Sequence, residues 1–330
     1  MGHEPRQAVA FDALSKAAMH RAADANRALT QAARPVLQQL GRALAETHYF
    51  AILTDAQGVV VDVNGPIDRR DRRADLITRV GVDLSERSVG TTAIGAALTE
   101  LQPVWLHRGE HFFNDTSSYS CAGAPLFGPR GQCVGMLDLT GVDAPERPEL
   151  KHLVTQSARG VENALALGSA HAVLLRLNWP GRHLGDDADG LIGLDDDGYV
   201  TTSNSAARQM LPQLFGSAAA PARTHCSELF ALPFEMLFDA ARHAATAMEV
   251  PLWSGLLLQA LALPAGTAAA PREAVGGTAP GSAPAQRRLK DIEIALIRKA
   301  VDEAKGNVAR AALRLGVSRA TVYRKLGLRG

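Results

Sequence analysis

Nine residues near the C-terminus hold the most specific chemistry in the chain: Ser318-Arg319-Ala-Thr321-Val322-Tyr-Arg324-Lys325-Leu326. Read as a helix, Val322 and Leu326 lie four apart and bury, so Arg319, Thr321, Arg324 and Lys325 project outward. Ser318 caps the first turn by accepting from its free N–H groups. An Arg near that end can donate two hydrogen bonds to guanine, and a Thr methyl can pack on thymine. Arg324 and Lys325 suit phosphate oxygens, contacts that fix register rather than sequence. The chemistry on offer is recognition of double-stranded DNA, with Ser318, Arg319, Thr321, Arg324 and Lys325 as the contacting set.

Two preceding elements would position that helix. From Leu289 to Ala304, Leu289, Ile292, Leu296 and Ala300 line one face, and Ile294, Ile297, Val301 and Ala304 an adjacent one. Two apolar faces on one helix call for burial on two sides, against its own domain and a partner subunit. Gly306 ends it in the left-handed conformation that glycine tolerates. Asn307 caps a second helix with Val308, Ala311, Ala312 and Leu315 facing inward, and Gly316-Val317 makes the turn. Charge agrees: Arg287–Gly330 holds 12 Lys/Arg against 4 Asp/Glu, whereas the rest of the chain holds 23 against 30. A basic end on an acidic body suits a polyanionic partner. A solvated helical hairpin would explain the charge, but not the order of short helix, glycine turn, polar cap and basic helix.

At 330 residues the chain is too long for one ordinary core. Residues 1–46 read as helical, with Leu29, Ala33, Val36, Leu37, Leu40 and Leu44 recurring around Pro35. Phe50–Thr54, a turn over Asp55–Gly58 and Val59–Val63 read as strand, turn and strand. Helices are expected near Arg72–Val80 and Gly90–Leu101. Strands follow at Pro103–Leu106, Ala122–Phe127 and Val134–Leu139, then a long helix over Leu150–Leu175. Gly190–Ser203 reads as a hairpin, Asn204 or Ser205 as a helix cap, Phe234–Ala247 as a helix and Val250–Leu263 as a strand or two. Residues 264–286, rich in Ala, Gly, Pro and Thr, lack the apolar bulk to offset ordering entropy and read as a flexible linker. The expected class is α+β, with antiparallel sheets and flanking helices, ahead of an all-α C-terminal domain.

Three cysteines, Cys121, Cys133 and Cys226, have no metal-type spacing and suit a reducing compartment. No apolar run approaches the ~20 residues of a membrane span, so the expected location is the cytoplasm. Trp105, His111, Phe112 and Cys121 are the candidate lining of a small-molecule pocket, ordinary core packing being the competing explanation for each.

The stretch Gly306–Leu326 resembles the Fis-type helix-turn-helix that ends many bacterial enhancer-binding activators. The resemblance implies DNA contacts at Ser318, Arg319, Thr321, Arg324 and Lys325, and a dimer interface along the helix after Leu289. Only four residues follow Leu326, so the last helix is short. Residues Gly81–Gly95, Gly109-Glu110-His111-Phe112, Cys121–Pro125 and Gly135–Gly141 are similar to the GAF region of acetoin-catabolism regulators, with Leu84 and Thr92 where Trp and Asn are usual. Gly190–Asn204 resembles the PAS domain that follows in that family. Family members of full length carry an ATPase before the DNA-binding part. This chain has no Gly-Lys dipeptide, hence no phosphate-cradling G-x-x-x-x-G-K-[ST] loop.

The expected division is a helical segment over 1–46, a GAF sensor over 47–170, a PAS-like domain over 171–263, the linker over 264–286 and the helix-turn-helix over 287–330. The expected protein is a homodimeric, ligand-responsive, non-enzymatic DNA-binding regulator with no cofactor beyond an unknown small-molecule effector. RNA polymerase is a candidate partner. Two alternatives are a GAF-type methionine sulfoxide reductase working through Cys121 and Cys133, and an architectural DNA-bending protein with a non-functional sensor.

Overall fold

Two five-stranded antiparallel sheets organise the unit that runs to Ala270. The computed structural model describes residues 4–12, 15–214, 223–243 and 247–266, together with residues 308, 310, 312 and 322. A second unit begins at Pro271.

Two helices, α1 (Lys16–Ala25) and α2 (Arg27–Ala43), lead into β1 (Tyr49–Asp55) and β2 (Val60–Asn64). Asp55 turns the chain between these strands by accepting from the N–H groups of Gln57 and Val59, and Gly58 takes a φ of 85°. Three short helices follow, α3 (Arg72–Ile77), α4 (Glu86–Val89) and α5 (Ala93–Glu100). They give way to β3 (Val104–His107), β4 (Tyr119–Phe127), β5 (Cys133–Val142) and α6 (Leu150–Leu167). The strand order is β2-β1-β5-β4-β3. Every residue of β1 is buried, because both faces of the sheet are covered.

Period-two alternation divides those faces. Ala51, Leu53, Ala122, Ala124, Leu126, Leu137 and Leu139 meet α2 and α6, which contribute Leu29, Ala33, Leu37, Leu40, Val154, Ala158 and Val161. Phe50, Ile52, Tyr119, Cys121 and Met136 face the other way, toward Ala74, Ile77, Val89, Ala93 and Ile94 of the short helices. Helix α2 therefore shares the core of the first sheet, and the packing has no boundary at residue 46.

The second sheet holds β6 (Val173–Asn178), β7 (Gly190–Leu194), β8 (Val200–Ser203), β9 (Met248–Pro251) and β10 (Leu257–Pro264) in the order β8-β7-β6-β10-β9. Helices α7 (Ser205–Met210), α8 (Cys226–Leu229) and α9 (Glu235–Arg242) connect β8 to β9. The long helix expected over Leu150–Leu175 stops at Leu167, and Val173–Leu175 begins the central strand instead. An apolar run fits either element by periodicity. Pairing with β7 on one side and β10 on the other decides for the strand. In both sheets helices carry the chain from one edge to the opposite edge. The last strand fills the centre of the first sheet, whereas the first strand fills the centre of the second.

The sheets are joined by a buried polar junction. Glu162 on α6 accepts from the Phe127 N–H (3.1 Å) and the Ser205 N–H (3.3 Å). Arg208, 3% exposed, donates to the Ser203 carbonyl (2.7 Å) and to the Ser205 hydroxyl (3.0 Å), and its guanidinium stacks over Phe127. Asn204 caps α7 by accepting from the Ala207 N–H, and its amide donates to Asn163 of α6 (2.7 Å). The Ser203 N–H reaches the Pro129 carbonyl in the turn between β4 and β5.

In the second unit, residues 308, 310, 312 and 322 are helical. Ala312 and Val322 are buried, Val308 is half-buried and Arg310 exposed. Ser318, Arg319, Thr321, Arg324 and Lys325 lie outside the described residues, as does nearly all of 264–286.

Candidate functional site

Between the first sheet and its short helices lies an apolar cavity of about 30 Å³, taken as the space open to the centre of a water molecule. That is room for roughly two waters. Ile52, Ile77, Leu84, Val89, Ala93 and Ile94 supply much of the wall. The polar groups come from adjacent strands in register: Cys121 on β4 pairs with Thr140 on β5, and Asp138 is two residues back on the same face. Thr92, which caps α5 by accepting from the Gly95 N–H, and His111 and Thr116 from the loop before β4 complete the polar wall.

Asp138 is fully buried. The Thr140 hydroxyl donates to its Oδ2, while Oδ1 has no partner. With that proton committed to Asp138, the Cys121 thiol 3.5 Å away donates to the Thr140 oxygen. Burial pushes the Asp138 carboxyl up to about 7, against the smaller opposing pull of the Thr140 hydroxyl. The carboxyl can therefore carry a proton near neutrality and present it as a donor. His111 is also buried, with Nδ1 2.9 Å from the Arg108 carbonyl. A carbonyl only accepts, so Nδ1 holds the proton. Burial lowers the pKa of the ring, which leaves Nε2 as a lone-pair acceptor, and it too has no partner. A buried polar atom without a partner costs about 1–3 kcal/mol. Asp138, a potential donor when protonated, and His111, an acceptor, thus line the same apolar cavity.

Of the four pocket residues expected from sequence, His111 and Cys121 line this cavity. Trp105 does not, because it is the cross-strand partner of Ala122 and packs in the α2–α6 core. Phe112 is 39% exposed and stands edge-on to Phe113, outside the lining. Asp138, Thr140 and Tyr119 were not anticipated. A lone Asp inside Met136-Leu-Asp-Leu-Thr was the available signal, since nothing else in that run is acidic.

The cysteines give little support to thiol chemistry. Burial, then the nearby Asp138 carboxyl, raises the Cys121 thiol well above its ordinary pKa. Burial also raises Cys133, whose Sγ–H is donated to the Gly135 carbonyl. A nucleophilic cysteine needs the opposite shift.

A sensor-type α+β region ahead of a basic segment of the Fis family defines the class of a transcription regulator, and the relatives belong to that class. Residues 9–163 match the family "MimR, N-terminal domain", and residues 288–327 match "Bacterial regulatory protein, Fis family". The acetoin catabolism regulatory protein of Cupriavidus necator is 34% identical over 216 residues, 63% of this chain and 31% of that protein. The acetoin dehydrogenase operon transcriptional activator AcoR of Bacillus subtilis is 33% identical over 138 residues, 42% of this chain and 23% of its own. The chain thus spans under a third of the length of these curated relatives. Among solved structures, the E. coli DhaR(N)–DhaL complex aligns over 79% of this chain and 95% of that one, at 16% identity and a TM-score of 0.47. Homologues of the chain are therefore acetoin-catabolism regulators and related activators, and its C-terminal segment is of the Fis type. Among the described residues no helix is long and apolar enough to cross a membrane.

Proposed function

We propose that this protein is a sequence-specific, cytoplasmic DNA-binding regulator that is not an enzyme and whose affinity for its operator responds to a small molecule held in the Asp138–His111 cavity. The observation that carries the reading is the Fis-family match over residues 288–327, a segment with three times as many basic as acidic residues from Arg287 onward. Ser318, Arg319 and Thr321 read bases, while Arg324 and Lys325 hold phosphates. The protein acts as a homodimer, because two recognition helices must reach half-sites about 34 Å apart. With no phosphate-cradling loop in its sequence, it works by occupying or bending DNA or by touching RNA polymerase, rather than by ATP-driven remodelling.

The effector is a small uncharged molecule with a hydroxyl. Its oxygen accepts a hydrogen bond from protonated Asp138 and its hydroxyl donates one to His111 Nε2. Two of the relatives are named for acetoin, a hydroxyketone of this description, which makes acetoin the first probe. Acetoin at about 100 times its dissociation constant should stabilise the full chain by about 2.7 kcal/mol, read as a thermal shift. No shift with acetoin or 2,3-butanediol would remove this effector class.

The DNA half is tested separately. In anisotropy titrations of the full chain on duplex DNA, Lys325→Ala should weaken binding to every sequence and reduce the slope of log K against log salt by about 1. An unchanged slope would take Lys325 off the phosphate backbone.

A further inference from the structure

One wall of the cavity comes from outside the sheet and its helices. Phe11 is a lining residue, and Val9 packs on the same apolar cluster. Three hydrogen bonds tie residues 5–12 to neighbouring loops. The Asn114 N–H donates to the Pro5 carbonyl (2.9 Å), the Val9 N–H to Asp115 Oδ2 (3.0 Å), and the Asp83 N–H to the Asp12 carbonyl (3.2 Å). These anchors are not scattered. Asn114 and Asp115 belong to the turn that carries Thr116, and Asp83 precedes Leu84, and both Thr116 and Leu84 line the cavity. The segment is a strap bridging the two loops that border the site.

The space open to a water's centre, about 30 Å³, is a fraction of the roughly 150 Å³ of an apolar cavity that holds benzene, so the site must widen to take an effector of that size. The sheet walls resist that, because β1, β4 and β5 are hydrogen-bonded on both sides. The strap belongs to neither a sheet nor a helix, its residues are exposed apart from Val9 and Phe11, and these two are each only half-buried. Segments with few buried contacts open at the lowest free-energy cost. Resting on the reading that this cavity is the effector site, we propose that residues 5–12 are a strap that releases to admit the effector, and that Phe11 is the residue that limits the effector's size.

Cys121 reports on this without any effector, because its thiol lies in the cavity wall and is buried. Cys226, buried in the core of the second sheet, reports loosening of the whole unit in the same sample. The probes are methyl methanethiosulfonate and the bulkier benzyl methanethiosulfonate, applied to the full chain with modification read at each cysteine by mass spectrometry. Phe11→Ala should speed modification of Cys121 about tenfold or more, with the larger gain for the benzyl reagent, and leave Cys226 unchanged. Asp115→Ala, which removes one anchor and leaves the lining intact, should speed Cys121 with both reagents. An unchanged Cys121 rate in both variants would overturn the strap, and so would equal acceleration of Cys121 and Cys226. A gain in Phe11→Ala that was the same for both reagents would overturn the size limit. Since no effector is present, none of these outcomes depends on acetoin binding, and a failure of acetoin to bind would leave them standing.

Discussion

Replacing Asp138 with Asn should make the protein more stable at pH 8 by several kcal/mol and flatten its stability between pH 4 and pH 8. The sign follows from linkage. Burial raises the folded-state pKa from 3.8 to about 7, so the folded protein holds a proton that the unfolded chain has lost across that window. Stability from this group is complete below about pH 4 and drains away as pH rises through about 7. At 1.36 kcal/mol per unit the loss is on the order of 4 kcal/mol. Asparagine keeps an acceptor for Thr140 and a donor for the cavity but does not ionise. The Thr140 hydroxyl and the Cys121 thiol stand next to this carboxyl, and Tyr119 and His111 are the other titratable groups lining the same cavity. Tyr119 and Cys121 are shifted upward by burial and stay neutral throughout, and the ring of His111 is shifted downward. Urea unfolding at pH 5, 7 and 8 measures the effect. Parallel pH profiles for the two proteins would mean that Asp138 does not titrate where its burial places it. Acetoin affinity supplies a second readout: it should fall above pH 7 in the native protein and hold level in Asp138→Asn.

Arg208→Ala should cost about 1–3 kcal/mol, because it leaves buried acceptors without their donor and removes the positive charge near Glu162, whose pKa burial already raises. Arg208 is 3% exposed, and burial lowers its pKa while the charge of Glu162 partly restores it. The truncation also strips donors from the Ser203 carbonyl and the Ser205 hydroxyl and uncovers the Phe127 ring. Glu162→Gln should be milder, since the amide oxygen can still accept from the Phe127 or the Ser205 N–H. Equal small losses in the two variants would show that the junction carries little of the stability. These residues all lie where the β4–β5 turn meets β8 and α7. The other ends of β4 and β5 hold Cys121 and Thr140. Strain from a filled cavity has a short covalent route to the second sheet.

Local signals were legible in the sequence and long-range ones were not. Asp55–Gly58 announced a turn, Asn204 a cap, and Leu150–Leu167 an amphipathic helix, because each depends on neighbours within a few residues. Periodicity alone extends that helix through Val173–Leu175, and only pairing with β7 and β10 makes those residues a strand. His111 and Cys121 were found as cavity residues, yet Trp105 falls on the opposite face from Cys121. Which face a strand residue occupies depends on register, and register is set by partners distant in sequence. Asp138 escaped notice for the same reason: its meaning comes from Thr140 beside it and from helices some forty residues earlier. The Glu162–Arg208 junction joins residues 46 positions apart through the turn at Phe127–Pro129 and had no signature at all.

Selection of genomic fragments by the purified full chain, with Arg319→Ala run in parallel, tests the central claim most directly. The native chain should retain a small set of fragments sharing a two-part sequence with half-sites one helical turn apart or a multiple of it. Arg319→Ala should lose that set, with its affinity for the common site reduced by about 1–3 kcal/mol. Retention of no sequence above random background, or of the same set at the same strength by both proteins, would contradict the account.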